Sequence, residues 1–194
     1  MNTLGIQFSL HTGHAVIAEH INDTLICTTA KKIDCDFEKR NALHDAMDFI
    51  KSLYQKKMRV IVGIPTQYVM TKELSLDEKL NDRDIFRYLQ TQSPHFFGHP
   101  AAQLNLDYQM LPSNEHNAQK IIAAAAHKIK IDIIETEFQL ARIPLHVIDV
   151  DIFADARFKK YLAGQNHFTN KTLFSEETFL RFSSACGLCL WGKA

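Results

Sequence analysis

Two cysteines near the end of the chain have the spacing that redox and zinc sites use. Cys186 and Cys189 form a C-x-x-C pair, whereas Cys27 and Cys35 lie in a separate segment and supply no second pair of this kind. On a helix, residues three apart merely share a face, and free cysteines are often buried as small apolar residues. We therefore interpret Cys186 and Cys189 as packing residues in preference to a zinc or redox site.

The histidines and the standard catalytic motifs give no stronger signal. His11 and His14 form one close pair and His95 and His99 another, but the second pair has no carboxylate or cysteine beside it in the sequence, so we expect a solvated loop there. The phosphate-binding motifs G-x-x-x-x-G-K-[ST] and G-x-G-x-x-G do not occur, nor do H-E-x-x-H and G-x-S-x-G. The sequence thus predicts no catalytic residue, no metal and no cofactor.

The composition is that of an ordinary folded protein with balanced charge. Lys+Arg and Asp+Glu both number 22, so no overall field draws the chain to nucleic acid or to anionic lipid. The longest uninterrupted apolar run, residues 121–126, is far shorter than the ~20 residues that span a bilayer, and the N-terminus lacks the pattern of an export signal. We expect a cytoplasmic protein that neither binds nucleic acid nor inserts into the membrane.

One stretch, residues 59–76, anchors the prediction of the fold. Residues 60–64 are all apolar apart from Gly63, and a run of this kind is typical of a strand buried on both faces. Pro65 ends this strand because proline has no N–H for a central ladder. The alternation from Tyr68 to Leu76 then predicts a second, outgoing strand. This place therefore marks a junction between two subdomains.

The remaining elements predict an α/β fold class. The short strands before and after the central one are expected at residues 4–10, 15–21, 24–33 and 145–150. Helices are expected at residues 41–56, from Asn81 to about Ser93, around 131–141, after a cap at Asp151, and at residues 176–190. Residues 165–171 are expected to be a polar linker.

Within the middle of the chain, two strands at residues 104–110 and 119–126 are expected to pair across a polar turn at 112–117. The helix before them should end near Ser93 because Pro94 disfavours helical geometry in the residue before it, which leaves His95 to Pro100 as a loop. Residues 66–144 then form an inserted β-α-β-β-α subdomain, and residues 1–65 with 145–194 form a core lobe.

Six blocks of the sequence, taken in order, carry a family resemblance. They are LGIQFS at 4–9, VGIPTQYVMTKEL at 62–74, LNLDYQML at 104–111, IAAAAHK at 122–128, HVIDVDIFA at 146–154 and ACGLCL at 185–190. Together they resemble the type IV pilus assembly protein PilM family, which includes the competence protein ComA and HofM. The resemblance implies an actin-like ATPase (ribonuclease H-like) lobe with an inserted subdomain. Family members are markedly longer, so we expect that the second lobe is missing here.

The resemblance also implies a function. The chain would be a cytoplasmic scaffold of the type IV or competence pilus, held peripherally at the inner membrane because it binds the N-terminal cytoplasmic tail of a PilN-like membrane protein. A PilO-like protein would be an indirect partner. The alternatives are a GspL-like component of a type II secretion system and, less favoured, a degenerate actin-like enzyme. Apolar groups left uncovered by the missing lobe would favour a homodimer.

We expect the tail to bind where the outgoing strand meets the inserted helix, because an extended peptide can use both strand-like hydrogen bonds and side-chain pockets there. The predicted apolar contacts are Tyr68, Met70, Tyr88 and Phe97. Arg83 and Arg87 are the candidates for contact with an acidic residue of the tail.

Nucleotide binding is not expected, because two segments depart from the family pattern. Gln7 stands where the family has an aspartate suited to magnesium, and Phe97-Gly98-His99-Pro100 stands at the family's I-P-F-P loop. Titration with Mg-ATP should therefore leave the melting temperature unchanged. A nucleotide that did bind, at 100 times its dissociation constant, would add about 2.7 kcal/mol to the free energy of unfolding. A clear rise in the melting temperature would contradict this prediction.

Overall fold

The structure is a computed structural model that describes residues 2–37, 39, 41–76, 79–111, 119–164, 166–172, 174–175 and 179–192. The chain divides into two compact units, one formed by Met1–Thr66 with Ile134–Ala194 and the other by Gln67–Ile133. The division into a core lobe of residues 1–65 with 145–194 and an inserted subdomain of residues 66–144 stays a prediction. Within the described residues, no helix is long and apolar enough to cross a membrane.

The helices and strands follow one another in an order that alternates both types. They are β1 (Asn2–Phe8), β2 (Gly13–Ile21), β3 (Thr24–Ile33), α1 (Ala42–Leu53), β4 (Arg59–Ile64), β5 (Val69–Leu76), α2 (Asp82–Phe97), β6 (Leu104–Leu111), β7 (Gln119–His127), α3 (Lys128–Leu140), β8 (Val147–Val150), α4 (Asp151–Ala163), β9 (His167–Asn170) and α5 (Ser183–Cys189).

The first unit contains a six-stranded sheet in the order β8-β4-β1-β2-β3-β9. β1, β2 and β3 form the predicted antiparallel meander, while β4 pairs in parallel with β1, and β8 in parallel with β4. β4 thus has a neighbour on each side, and all its residues after Arg59 are buried. This position explains why its sequence is a continuous apolar run, and it confirms the prediction of a central strand.

The prediction of a polar linker at residues 165–171 is wrong, because His167 to Asn170 form strand β9. This strand pairs in parallel with the start of β3. The Tyr161 hydroxyl lies 2.6 Å from Asp23 O and 2.9 Å from His167 O, so it ties the turn before β3 to the start of β9. β9 carries one apolar residue, Phe168, and its strand conformation depends on the edge of β3 rather than on a hydrophobic pattern of its own.

The last helix returns to the core of the first unit. α5 is shorter than the helix predicted at residues 176–190: a 3-10 turn from Leu180 to Phe182 precedes it, and residues 176–178 lie outside the described part. At Gly187, a Cβ atom would lie 1.7 Å from Ala154 O in α4. The backbones of α4 and α5 are therefore in direct contact at this point.

An ion pair also joins helices α4 and α5 to strand β8. Arg157 of α4 donates through Nη2 to Asp149 Oδ2 at 3.0 Å and through Nη1 to Gly187 O at 2.9 Å. The two charged side chains are 20% and 10% exposed. Because a guanidinium has donors in a fixed fork, one arginine can join strand β8, helix α4 and helix α5.

The second unit is a three-stranded antiparallel sheet in the order β5-β7-β6, with α2 on one face. Ile85, Leu89 and Phe97 of α2 pack with Ile121, Ala123 and Ala125 of β7 in one buried cluster. The element order β-α-β-β-α predicted for this part of the chain is confirmed, although the predicted turn at 112–117 lies outside the described residues.

The predicted end of α2 near Ser93 is wrong, since the helix continues through Pro94 to Phe97. Pro94 has no N–H for the carbonyl of Gln90, but the hydroxyl of Ser93 donates to this carbonyl at 3.1 Å. The helix then ends at Gly98, whose N–H donates to Pro94 O. His95 to Phe97, predicted to lie in a loop, therefore belong to the last turn of α2.

Replacing Gly187 with alanine should strongly destabilise the protein. The new Cβ would overlap backbone atoms of α4, and overpacking of this kind costs about 1–3 kcal/mol or more. Gly164→Ala is a suitable control, because Gly164 is exposed and the nearest atom to its added Cβ is the end of the Asn166 side chain. Chemical denaturation would measure both variants, and equal free energies of unfolding would contradict the close contact of α4 and α5.

Candidate functional site

The second unit has an open strand edge beside two aromatic rings of α2. Among the described residues, β5 pairs with β7 and has no strand on its other side. Met70 and Leu74 of β5 stand opposite the buried residues Ala125 and Ile121 of β7, so their side chains lie on the sheet face that α2 covers. An edge strand of this kind offers unpaired backbone N–H and C=O groups to an extended peptide.

One flank of α2 lines this edge. The rings of Tyr88 and Phe96 lie 5.6 Å apart between centroids, and Lys72 Nζ of β5 lies 5.1 Å from the centre of the Phe96 ring. Both rings are partly buried and pack against the cluster between α2 and the sheet. The edge of β5 is therefore flanked by two aromatic side chains and a lysine, a combination that suits an extended apolar segment with an acidic group.

The structure places the six predicted site residues differently with respect to this edge. Met70 and Tyr88 lie beside it and are partly buried, whereas Phe97 is only 7% exposed and belongs to the core of the second unit. Tyr68 ends the 3-10 turn that precedes β5, with Lys130 Nζ lying 4.7 Å from the centre of its ring.

The two arginines lie one helical turn apart on the exposed side of α2. Arg83 is exposed, and Arg87 is 67% exposed in its side chain, with Nη1 at 4.0 Å from Asp84 Oδ1. An ion pair at this distance and exposure contributes little to stability. Both guanidinium groups are therefore available to a partner from the outer face of the helix.

Sequence reasoning missed Lys72 and did not choose Phe96. The signal for Phe96 is its spacing of two turns from Tyr88, which counts only when the helix continues beyond Pro94. For Lys72, the alternation of β5 puts it on the same face as Met70 and Leu74, opposite Ala123. Lys72 is itself exposed, and its ammonium group lies over the ring of Phe96.

In the first unit, the hairpin between β1 and β2 is closed by its own polar groups. The Ser9 hydroxyl donates to Thr12 O at 2.6 Å. Gln7 is buried; its Nε2 donates to Phe8 O at 2.9 Å, and its Oε1 lies 3.1 Å from His14 Nδ1. Because an amide oxygen can only accept, His14 Nδ1 is the donor in this pair. Both polar atoms of Gln7 are thus used within the hairpin.

The carboxylate that follows β8, Asp151, also forms hydrogen bonds within the fold. Asp151, predicted to cap α4, is instead its first residue; its Oδ1 accepts from Thr66 N at 3.1 Å, from the Thr66 hydroxyl and from Ile152 N at 2.7 Å. Its side chain thereby joins the end of β4 to the start of α4. No group of three or more His, Cys, Asp or Glu side chains that could hold a metal ion occurs in the described structure.

The cysteines lie in the core, as the packing interpretation predicts. Cys27 Sγ and Cys186 Sγ are 3.8 Å apart, while Cys189 Sγ lies 3.7 Å from Thr3 O. Burial raises the pKa of the Cys186 and Cys189 thiols well above the usual value. Because the thiolate is the reactive and metal-binding form, this environment disfavours both kinds of chemistry.

Comparison with known proteins gives one family and several related folds. The family profile of the type IV pilus assembly protein PilM matches residues 9–173. The structure is similar to a chain of the PilM-PilN type IV pilus biogenesis complex, with 16% sequence identity and a TM-score of 0.66; the match covers 82% of this chain and 52% of that one. The chain therefore spans about half the length of that relative.

Two further solved structures are similar. One is the cytoplasmic domain of EpsL, an inner membrane component of the type II secretion system of Vibrio cholerae, with 9% identity, a TM-score of 0.51 and coverage of 79% of this chain and 59% of that one. The other is a Bacteroides thetaiotaomicron protein with an actin-like ATPase fold, with 16% identity, a TM-score of 0.45 and coverage of 84% and 55%. No curated protein matches the sequence significantly. The predicted α/β fold of the PilM type is confirmed.

Two histidines of the first unit should give opposite contributions to the pH dependence of stability. Burial, with Lys32 and Arg181 nearby, lowers the pKa of His14, whereas a hydrogen bond to Glu137 raises the pKa of His44. As the pH falls through the unfolded value of about 6.5, the unfolded chain takes up a proton at His14 before the folded one does, so stability is lost. His44 instead adds stability in acid, and this stability is lost as the pH rises through its folded pKa.

The variants His14→Asn and His44→Asn would separate these contributions, since asparagine keeps an amide N–H near the position of Nδ1. Between about pH 7.5 and about pH 5.5, His14→Asn should lose less stability than the parent, and His44→Asn should lose more. Urea denaturation at each pH would measure the difference. Parallel curves for all three proteins would show that neither histidine is perturbed by folding.

Proposed function

The chain belongs to the PilM family of type IV pilus assembly proteins, and we propose that it is an adaptor that binds the N-terminal cytoplasmic tail of a PilN-like membrane protein. The observation that carries the proposal is the family match over residues 9–173. The similar structure of a PilM-PilN complex supports a partner of this kind. A soluble adaptor would then be held at the inner membrane through its partner, with a PilO-like protein reached indirectly.

The edge of β5 is the place that we propose for the tail. An extended tail would add a strand beside β5 and form backbone hydrogen bonds with it. Since side chains alternate along a strand, every second residue of the tail would face α2 and contact Met70, Tyr88 and Phe96. Affinity would come from the backbone, and preference for apolar residues from the aromatic flank.

The charges around this edge favour an acidic residue in the tail. Lys72 lies beside the aromatic flank, and Arg83 and Arg87 stand on the exposed side of α2. Exposed charges of this kind change association rates and selectivity more than they change affinity. Tyr68 would contact the tail at the start of β5, whereas Phe97 would support the site from the core.

Two other functions are weaker on the same observations. A GspL-like role in type II secretion would agree with the structural match to EpsL. This match has a lower sequence identity and a lower TM-score than the match to the PilM-PilN complex. A degenerate actin-like enzyme would need a group to offset a hard cation, while Gln7 carries no charge and both its polar atoms are used within the hairpin. Self-association into a homodimer stays a further expectation.

Alanine substitutions in and around the edge of β5 would test the tail site. Tyr88→Ala should weaken binding of a synthetic PilN-like N-terminal peptide by about tenfold, because central aromatic residues contribute most to such interfaces. Tyr68→Ala and Arg87→Ala should weaken it by about threefold, since both lie at the rim. Fluorescence anisotropy would measure the affinities, with circular dichroism as a check on folding.

The matched control is Phe86→Ala. Phe86 is an aromatic residue of the same helix and is 37% exposed, but its ring packs on Tyr108 of β6, at the opposite edge of the sheet. This variant should bind the peptide like the parent. If all three test variants keep affinities within about twofold of the parent, the tail binds elsewhere.

A further inference from the structure

The direction of the backbone groups along the β5 edge follows from the central strand of the same sheet. Strand β7 lies between β5 and β6 and is antiparallel to both, with a continuous register. In an antiparallel pair, opposite residues alternate between pairs that exchange both hydrogen bonds and pairs whose N–H and C=O point away from each other. A residue of β7 therefore bonds to one neighbouring strand, and the next residue bonds to the other. One known orientation in the sheet thus fixes the others.

Tyr108 of β6 provides this orientation. Its backbone N–H donates to Asp107 Oδ1 at 2.8 Å. The same bond, to the carboxylate of the preceding residue, is formed by Ile152 in the first turn of α4, where an N–H has no partner along the helix. A bond of this kind thus serves an N–H that lacks a backbone acceptor. Tyr108 accordingly directs its N–H and C=O to the open side of β6, away from β7.

Ala123 and Lys72 carry this orientation across the sheet to β5. Tyr108 stands opposite Ala123 of β7, and Ala123 stands opposite Lys72 of β5. Because Tyr108 points away from Ala123, the backbone groups of Ala123 bond to Lys72. The two neighbours of Lys72, Thr71 and Glu73, then direct their N–H and C=O groups to the open side of β5. Both residues are exposed, as an accessible edge requires.

The middle of β5 is not blocked in the ways that protect natural strand edges. Such edges often carry a proline, or a lysine that projects over the open backbone. β5 contains no proline, and its one lysine, Lys72, holds Nζ 5.1 Å from the centre of the Phe96 ring, on the side of α2. The opposite edge of the sheet differs, since Asp107 of β6 already occupies the outward N–H of Tyr108. Of the two edges, β5 is therefore the one whose central N–H groups stay open to a partner.

We propose that the backbone groups of Thr71 and Glu73 anchor the tail and fix its register on β5. This inference rests on the proposed function, which supplies the tail as the occupant. An added strand that bonds to Thr71 and Glu73 places one residue opposite Lys72. The side chain of that residue lies on the face of Tyr88 and Phe96. The two residues beside it turn to the opposite face of the sheet.

The register selects a tail with an alternating pattern. Tail residues opposite Met70, Lys72 and Leu74 lie on the face where partly buried aromatic and aliphatic side chains pack, so apolar residues suit these positions. Tail residues opposite Thr71 and Glu73 lie beside exposed polar side chains, so polar residues suit those. The partner is thus an extended segment in which apolar and polar residues alternate, in contrast to a continuous apolar run.

Amide hydrogen exchange of the full chain, labelled with nitrogen-15, tests the register without any peptide. The amides of Met70, Lys72 and Leu74 should be protected by their bonds to β7. Those of Thr71 and Glu73 should exchange about tenfold faster or more, because they have no bond within the sheet. The inverse pattern, or equal protection along β5, would overturn the proposal whether or not a tail binds.

Addition of the synthetic PilN-like N-terminal peptide at saturation tests the anchor. Exchange at Thr71 and Glu73 should slow by about tenfold, since both amides then donate to the added strand. A peptide that binds in fluorescence anisotropy but leaves these two amides unchanged would overturn this inference and leave the proposed function intact. A peptide that does not bind at all would refute both.

Proline substitution separates the backbone anchor from a general change of the site. Glu73→Pro removes one outward N–H and no bond to β7, so it should weaken peptide binding by about tenfold while the amide spectrum keeps its dispersion. Met110→Pro is the matched control, because Met110 lies two residues after Tyr108 and its N–H also faces the open side of β6. This control should bind the peptide like the parent. Equal affinities of the two variants would contradict the anchor, and the exchange pattern of the parent decides the register even if Glu73→Pro fails to fold.

Discussion

The contact between α4 and α5 is the constraint on which the rest of the first unit depends. The two helices meet where Gly187 faces the carbonyl of Ala154, and any side chain at this glycine would collide with backbone atoms. On the sheet side, a Cβ at Gly5 of β1 would lie 2.3 Å from Ala185 O. Helix α5 is therefore held between α4 and the sheet at backbone distance. Arg157 then joins both helices to β8 through Asp149 and Gly187 O.

Because the core is closed in this way, the groups that could do chemistry are occupied with holding it together. Gln7 hydrogen-bonds within its own hairpin, Asp151 bonds to Thr66, and the thiols of Cys186 and Cys189 are buried. Each of these groups would need to be exposed and free to act on a ligand. These groups therefore serve the packing and the hydrogen bonding of the fold.

The open edge of β5 is a simple binding feature of the second unit. This strand has backbone groups on its open side, and α2 lies over the adjoining sheet face. The backbone interactions of an added strand do not depend on its sequence, so selectivity must come from the side chains nearby. Those beside β5 are the rings of Tyr88 and Phe96 and the ammonium group of Lys72.

The sequence by itself determined the elements whose residues carry a periodic signal. The apolar run of β4, the meander of β1 to β3 and the order β-α-β-β-α in the second unit follow from patterns within a few residues. The resemblance to PilM likewise depends on six short blocks. The positions of Met70 and Tyr88 beside an open edge could be anticipated in this way, because alternation and helical spacing fix which face a side chain takes.

Only the tertiary structure decided the features that depend on distant partners. β9 is a strand because β3 offers an edge, and α2 passes Pro94 because the Ser93 hydroxyl bonds to the carbonyl that proline leaves free. Asp151 acts on Thr66 instead of capping its own helix. Lys72 lies over the ring of Phe96 because Phe96 belongs to the last turn of α2. In each case a hydrogen bond or contact from another element outweighed the local preference, since local propensities are worth less than the tertiary interactions that oppose them.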